Sequence, residues 1–173
     1  MIDFANKYVD KVNDFLMKTS MDIKYKYFHV DNYSKITYEP EKTTWSKIDF
    51  VYLNEKKEVT GLIGVKLERP YPVANITMIH DGGGFDFIIG VKQLIKKLFI
   101  DFNIPKITWS VLIGNKAEVL YDRFIIRNGG RIVGIFHKHK MALDGEICDL
   151  KMYEMLREDF IKKIEKESES ETL

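Results

Sequence analysis

The side chains best suited to acid–base chemistry lie beside a run of glycines near the middle of the chain. His80 and Asp81 precede three consecutive glycines, Gly82, Gly83 and Gly84. An imidazole titrates near neutral pH, so His80 can take a proton from an attacking nucleophile. The glycine N–H groups can bind an anion, although Asp81 and Asp86 on either side repel phosphate. A His-Asp pair before glycines is also common in turns, and this second interpretation stays open.

Four further side chains that could act as a base, a metal ligand or a nucleophile lie in or beside apolar segments that are typical of strands. Glu68 ends one segment and is a competing base, although a glutamate beside Arg69 is usually solvated. His137 and His139 share one face, as a zinc site requires, but no third ligand is nearby, so we predict no metal. Cys148 is the single cysteine, which excludes an internal disulfide and predicts a small core residue.

Two basic stretches are candidate contacts for phosphate groups. The first comprises Lys92, Lys96, Lys97 and Lys106, which equally suit a solvated helix face. The second, residues 24–27, alternates lysine with tyrosine and, with Trp45, suits a single-stranded nucleic acid. Lys plus Arg number 27 against 26 Asp plus Glu, so no global field draws the protein to nucleic acid. Nucleic acid is therefore a disfavoured partner that stays open.

The bulk composition predicts one globular domain. With 173 residues, 45% of them hydrophobic and 31% charged, the chain can bury a core without disulfides or metal. The N-terminus mixes acids, bases and apolar residues, unlike a signal peptide, and no run of about 18 apolar residues indicates a membrane span. We therefore expect a cytoplasmic protein with no membrane contact.

Hydrophobic spacing predicts the elements that position these residues. In the first half it predicts a helix over residues 3–18, a short strand over 23–30, a hairpin of strands 45–53 and 59–67, and a strand over 73–80. Residues 31–44 carry no pattern that we can interpret. The strand over 73–80 would end at His80, which places this residue at the end of a strand.

The second half alternates helices with strands. A helix is predicted over residues 86–102 and a strand over 106–113. The next helix begins at Asn115, with Glu118 as its capping-box partner, and ends at the glycines 129–130. Strands over 131–139 and 147–155, joined through a turn at Asp144-Gly145, complete the pattern.

Two local motifs accompany this order of elements. Residues 115–121 read Asn-Lys-Ala-Glu-Val-Leu-Tyr and lead to Gly129-Gly130 and a strand. Asp144-Gly145 is followed by Asp149 and Tyr153 on the last strand. Together with the order helix, hairpin, strand, helix, strand, helix, strand, strand, these motifs resemble the GCN5-related N-acetyltransferase (GNAT) superfamily over roughly residues 45–156.

The resemblance implies an α/β (α+β) fold in one domain. A mixed, mostly antiparallel central sheet would be flanked by helices within residues 1–156. Residues 157–173 would add a helical extension, and its Glu-Ser-rich end is predicted to be disordered. The resemblance also implies a homodimer.

The resemblance also implies an acyltransferase that uses acetyl-CoA and acetylates a small-molecule or protein amine. Tyr121 would protonate the leaving thiolate, and His80 or Glu68 would be the base. The fourth strand would splay from the fifth to admit the pantetheine arm. The implied cofactor contacts are Ile79, Asp81, Gly82, Gly83, Gly84 and Asn115. For Asn115, a role as helix cap is independently supported by Glu118.

Two departures from the family pattern keep other functions open. Asp86, Ile89 and Val91 occupy the positions of the phosphate-binding loop, whose basic residue and glycines are missing. Tyr121 lies farther from Gly129 than the family spacing implies. A non-catalytic scaffold of the same fold is therefore a rival. The Lys-, Ile- and Asn-rich composition is typical of an AT-rich genome such as that of a phage, and an enzyme that modifies nucleic-acid bases is a third alternative.

Overall fold

One seven-stranded sheet organises the chain in the computed structural model, which describes residues 1–27, 37–39, 46–68, 71–81 and 84–170. Its strands are β1 (Ile2–Phe4), β2 (Lys47–Leu53), β3 (Val59–Glu68), β4 (Val73–His80), β5 (Lys106–Leu112), β6 (Arg131–Met141) and β7 (Ile147–Leu156). The helices are α1 (Val9–Met21), α2 (Gly84–Ile100), α3 (Ala117–Arg127) and α4 (Arg157–Ser170). The strand order is β1-β2-β3-β4-β5-β7-β6, and β4–β5 is the one parallel pair among the described strands. No described helix has the length and apolar character that a membrane span requires.

Helices cover both faces of this sheet. Tyr52 joins the large core cluster that contains residues of α2 and α3, whereas its neighbour Val51 packs with Val12 and Leu16 of α1. Successive side chains of a strand point to opposite faces, so α1 lies on one side and α2 with α3 on the other. Burying one large apolar side chain contributes about 1.5–3 kcal/mol, and both layers therefore hold the sheet in place.

The central elements agree with the spacing of their apolar residues. β2 and β3 form the predicted antiparallel hairpin, with Phe50 opposite Ile63. β4 spans the predicted residues 73–80, and β5, β6 and β7 differ from their predicted bounds by at most two residues. α2 begins and ends two residues earlier than predicted, at Gly84 and Ile100. The fold class, a mostly antiparallel sheet flanked by helices, is confirmed.

The N-terminal segment differs from the helix predicted over residues 3–18. Ile2–Phe4 form β1, which pairs antiparallel with β2, and α1 begins at Val9. The ammonium group of Met1 donates to the carbonyl of Leu53 at 2.9 Å, and the Phe4 ring lies 5.2 Å from Phe50. These contacts join residues distant in sequence and override the local helical spacing.

The strand predicted over residues 23–30 is wrong in its described part. Ile23–Tyr25 form a turn of 3₁₀ helix instead. The Asp22 carboxylate accepts a hydrogen bond from the Lys24 N–H at 3.0 Å, which is how aspartate side chains commonly stabilise turns. Residues 28–30 lie outside the described part of the chain.

The C-terminal extension is helical for longer than predicted. α4 follows β7 directly and continues through Ser170, although disorder was predicted from residue 167. Phe160 is fully buried with its ring 5.1 Å from Phe99, so α4 is packed against α2 at its start. Glutamate and lysine are good helix formers and sustain the later turns. Residues 171–173 lie outside the described part.

Candidate active site

The parallel strands β4 and β5 separate after three residue pairs. These pairs are Val73 with Lys106, Ala74 with Ile107 and Asn75 with Thr108. At the last pair, the side-chain amide of Asn75 donates to Thr108 Oγ1 at 3.3 Å. Farther along, β4 continues in register with β3, and β5 with β7. We call the gap between residues 76–80 and 109–112 the slot. It opens at the carboxyl ends of both strands, close to the starts of α2 and α3.

The direction of the β4 backbone decides which residues can offer hydrogen bonds to the slot. The Asp81 N–H donates to the Thr60 carbonyl of β3 at 2.7 Å. Backbone groups of alternate residues in a strand point the same way, so those of Ile79 also face β3. The groups of Met78 and His80 then face the slot. The cofactor contact predicted for Ile79 therefore does not fit its backbone, and its side chain packs in the α1 cluster.

His80 lies at the open end of the slot on the α2 side of the sheet. Its ring stacks on Phe87 with a centroid distance of 4.3 Å. Burial lowers the pKa of His80 below its ordinary value, and the nearby Asp81 opposes this shift only in part. The imidazole is therefore neutral at pH 7, which is the state that a general base needs.

The lowered pKa of His80 predicts a loss of stability on mild acidification. Because the unfolded chain binds a proton near pH 6.5 that the folded protein rejects, the free energy of unfolding should decrease as the pH falls below about 6.5. His80→Phe keeps a ring on Phe87 and should flatten this dependence between pH 5 and 6.5. His139→Phe, the same substitution at an exposed position of β6, is the control. The free energy of unfolding is measured by urea unfolding at each pH. If it falls equally with pH in the wild type and in His80→Phe, the assignment is contradicted.

Asp81 forms an ion pair with Lys18 of α1, which partly compensates its negative charge. Burial alone would raise the pKa of Asp81, but hydrogen bonds from Lys18 and Tyr25 lower it. The Lys18 ammonium lies 2.7 Å from the carboxylate. Gly84 begins α2 with a positive φ of 47° and open space around its Cα. Gly82 and Gly83 lie outside the described residues.

Tyr121 is buried on the α3 side of the slot. It is 4% exposed and belongs to the same core cluster as Trp109, and its ring meets Tyr153 edge to face at 6.2 Å. Burial raises the pKa of Tyr121 well above its usual range, so the phenol stays protonated. No hydrogen bond of its hydroxyl is found among the described residues, which leaves that group available for a ligand.

Asn115 acts as the predicted cap of α3. Its side-chain oxygen accepts a hydrogen bond from the Ala117 N–H at 3.0 Å. Glu118 reaches back to the N–H of Gly114 at 3.2 Å, one residue earlier than in the usual capping box. Both bonds satisfy backbone donors at the start of the helix.

Glu68 is not brought to the open end of the slot. It pairs with Val73, where β4 and β5 are still joined, while His80 pairs with Gly61 at the other end of the hairpin. Seven residues of strand separate the two ends, a length of about 23 Å. His80 is the better placed of the two predicted bases.

Trp109 is a candidate site residue that the sequence did not reveal, because its side chain carries a buried polar atom without a partner in the described part of the chain. Trp109 is 1% exposed, and its ring stacks on Tyr153 at 5.5 Å. The indole Nε1–H has no hydrogen-bond acceptor within the described chain. Tyr153, on which the Trp109 ring stacks, donates its hydroxyl hydrogen bond to Asp122 at 2.7 Å, and Asp122 also accepts from Lys151 at 3.0 Å. Alternation in β5 predicts the buried face of Trp109, but no sequence signal reports an unmet donor.

The remaining chemical candidates have structural partners. His137 lies 2.9 Å from Asp149, and His139 stacks on the Phe136 ring. No group of metal-ligating side chains occurs in the described ranges. Cys148 is buried, as predicted, and burial raises the pKa of its thiol.

The basic and aromatic segment at residues 24–27 is also occupied by the protein itself. Lys26 contacts Asp144 at 2.7 Å and Glu146 at 2.8 Å, and Tyr25 is buried. Trp45 lies outside the described residues. The described part of this segment therefore offers little free positive charge to a nucleic acid.

Comparison with solved structures finds proteins of similar fold, whereas the sequence comparisons find no match. No family model and no curated protein matches the chain. A spermidine N-acetyltransferase from Vibrio cholerae, solved with CoA and spermine, superposes with a TM-score of 0.70 at 16% identity, over 93% of this chain and 97% of that chain. A chimera of the Vibrio cholerae enzyme, SpeG, and hSSAT gives a TM-score of 0.72 at 17% identity, with the same coverage. The chain has the GNAT fold. At this level of identity the GNAT likeness establishes architecture, and the activity has to be argued from the site.

Proposed function

We propose that the protein is an acyl-CoA-dependent N-acyltransferase that moves an acetyl group from acetyl-CoA to a primary amine. The observation that carries this proposal is the slot, because β4 and β5 stay paired over three residues and then separate. A parallel pair inside a continuous sheet normally keeps its ladder, since unpaired backbone groups are costly. A ligand with amide groups of its own would satisfy them.

The residues around the slot fit the two halves of coenzyme A. The backbones of Met78 and His80 face the slot and suit the amide groups of a pantetheine arm. The glycines 82–84 and the first turn of α2 suit a pyrophosphate, since N–H groups at a helix start bind anions. The ion pair of Asp81 with Lys18 partly compensates one of the two repulsive charges. Asp86 is exposed in the first turn of α2 and is the remaining unfavourable charge.

The proposed mechanism is direct attack. Acetyl-CoA supplies an activated acetyl group as a thioester. The amine nitrogen forms a bond to the carbonyl carbon, and the carbon–sulfur bond breaks with its electron pair on sulfur. His80 accepts the proton that the amine loses, and Tyr121 donates a proton to the thiolate. Neutral His80 and protonated Tyr121 are the states that their environments favour.

The acceptor that we propose is a small-molecule amine, with a protein amine as the alternative. The structural neighbours are spermidine N-acetyltransferases, and one was solved with spermine. Transfer of that chemistry to this chain is a proposal, as are its cytoplasmic location and its phage origin. Acetylation of spermidine, tested beside a lysine peptide, distinguishes the two classes of acceptor.

The proposed function predicts that acetyl-CoA stabilises the protein against heat. A ligand that binds only the native state stabilises it by about 2.7 kcal/mol at 100 times its dissociation constant. Differential scanning fluorimetry with acetyl-CoA should therefore raise Tm by several degrees, whereas adenosine alone should act weakly. Absence of a shift at millimolar acetyl-CoA would refute the proposal and favour the non-catalytic scaffold, for which the acidic Asp86 is the supporting observation. A rise in Tm with acetyl-CoA, but no acetyl transfer to any amine tested, would favour nucleic-acid bases as acceptors.

We propose the edge of β6 as the surface of the homodimer. Four apolar side chains there are 42–57% exposed: Ile132, Val133, Ile135 and Phe136. Gly134 is the centre of this run, so two antiparallel copies would place apolar residues together. The flanking basic side chains already have partners, since Arg131 contacts Glu154 and His137 contacts Asp149. A monomeric mass in sedimentation analysis would contradict the dimer.

A further inference from the structure

Trp109 occupies a defined position at the fork of the sheet. Thr108 is the last β5 residue that pairs with β4, so Trp109 is the first residue that lines the slot. Its side chain lies on the face of α2 and α3, where the ring stacks on Tyr153 and meets Phe124 edge to face at 6.1 Å. These two aromatic contacts fix the ring, so the position of its N–H group is set before any ligand arrives.

The indole N–H of Trp109 is an unmet donor in the apolar core. Leaving one buried polar group unpaired costs about 1–3 kcal/mol, and such groups are rare in native proteins. Tyr121, in the same cluster, also has a hydroxyl without a partner among the described residues. The buried Trp109 N–H of β5 and the Tyr121 hydroxyl of α3 thus belong to one cluster on one side of the slot. A guest with oxygen or sulfur acceptors would satisfy both.

We propose that the Trp109 Nε1–H donates a hydrogen bond to a carbonyl oxygen of the acyl-pantetheine arm in the slot. This assignment rests on the proposed function and adds Trp109 to the residues that bind the acyl donor. In the free protein the atom is closed to solvent, so the arm must displace a neighbouring side chain. Met78, half-buried on the same face of β4, is the flexible group that can move. A fixed donor in the same cluster as Tyr121 orients the thioester for attack.

Indole signals in ¹H–¹⁵N NMR spectra test this contact without relying on activity. The chain has two tryptophans, so the Trp45→Phe variant retains one indole signal, that of Trp109. Titration with acetyl-CoA should move its proton downfield, as expected when a donor without a partner gains an acceptor. Titration with 3′-phosphoadenosine, which lacks the arm, is the control and should leave the signal in place.

The outcomes of this titration separate the two proposals. If backbone signals saturate with acetyl-CoA while the Trp109 indole signal stays fixed, binding occurs but the Trp109 contact is refuted, and an internal water is the remaining partner. If no signal moves, acetyl-CoA does not bind and the proposed function fails with the inference.

A second variant measures the strength of the contact. Trp109→Phe keeps an aromatic ring on Tyr153 and removes the donor. Its dissociation constant for acetyl-CoA should rise by about tenfold in calorimetry, in line with the loss of one hydrogen bond. The affinity for 3′-phosphoadenosine should stay unchanged, which excludes a general loss of folding. Equal affinity of both proteins for acetyl-CoA would overturn the assignment.

Discussion

Replacement of Tyr121 by phenylalanine is expected to lower kcat by about 10²–10⁴-fold, the usual contribution of a positioned general acid. The variant should still bind acetyl-CoA, because the ring and its packing against Tyr153 remain. Since burial raises the pKa of Tyr121, the wild-type rate should show no alkaline loss from this group up to about pH 9. Steady-state kinetics with an amine acceptor and calorimetry with acetyl-CoA provide the two measurements.

Tyr153→Phe is the matched control for this prediction. Tyr153 lies in the same cluster and donates a hydrogen bond to Asp122 at 2.7 Å. Removal of its hydroxyl should reduce the free energy of unfolding by about 1–2 kcal/mol while kcat stays close to that of the wild type. Similar losses of kcat in both variants would show that Tyr121 acts through the packing of the cluster and is not the acid.

The second large effect is expected at Gly130, where the chain passes from α3 into β6. A Cβ at this position would clash with Ile125 Cδ1 and lie 2.7 Å from the carbonyl oxygen of Glu154. The carbonyl belongs to the β7 backbone and cannot move without disturbing the sheet. Gly130→Ala should therefore destabilise the protein by about 1–3 kcal/mol, the usual cost of overpacking, and lower Tm by several degrees.

Gly134→Ala tests the same substitution where space is available. Gly134 lies four residues later on β6, and no atom lies within 4 Å of a Cβ placed there. Its free energy of unfolding should change by no more than about 0.5 kcal/mol. If calorimetric scans gave equal Tm losses for the two variants, the close approach of α3 to β7 at Gly130 would not be the cause.

The core of the fold was predictable because its elements carry their own patterns. Val59–Glu68 alternates apolar and polar residues, and Gly84–Ile100 repeats apolar residues at helical spacing. Either pattern needs only a nearby apolar layer to become strand or helix. The prediction was wrong for the N-terminal residues because Ile2–Phe4 form a strand by pairing with Phe50–Tyr52, nearly fifty residues away. Periodicity within a window cannot report such a partner.

Charge pairing is a second property that the spacing of residues did not reveal. From the sequence, Asp81 reads as a charge that repels phosphate beside the glycines. The structure brings Lys18 of α1 within 2.7 Å of it and so partly compensates that charge. Glu68 illustrates the reverse case, since the register of β3 with β4 places it far from His80. Distances across a sheet depend on register, which short motifs do not encode.

By itself, the sequence determined the strands β2 to β7, the helices α2 and α3 and the capping of α3 at Asn115, because each carries its pattern within a few neighbouring residues. Only the tertiary structure decided that β4 and β5 part after Asn75 and Thr108, and that Trp109 and Tyr121 are buried on one side of the opening. The physical reason is that the slot exists because two neighbouring strands do not pair along part of their length. Each strand has an ordinary strand sequence, so neither sequence signals the missing pairing. Beyond the fork each strand keeps a partner elsewhere in the sheet, β4 with β3 and β5 with β7, and these pairings join residues distant in sequence.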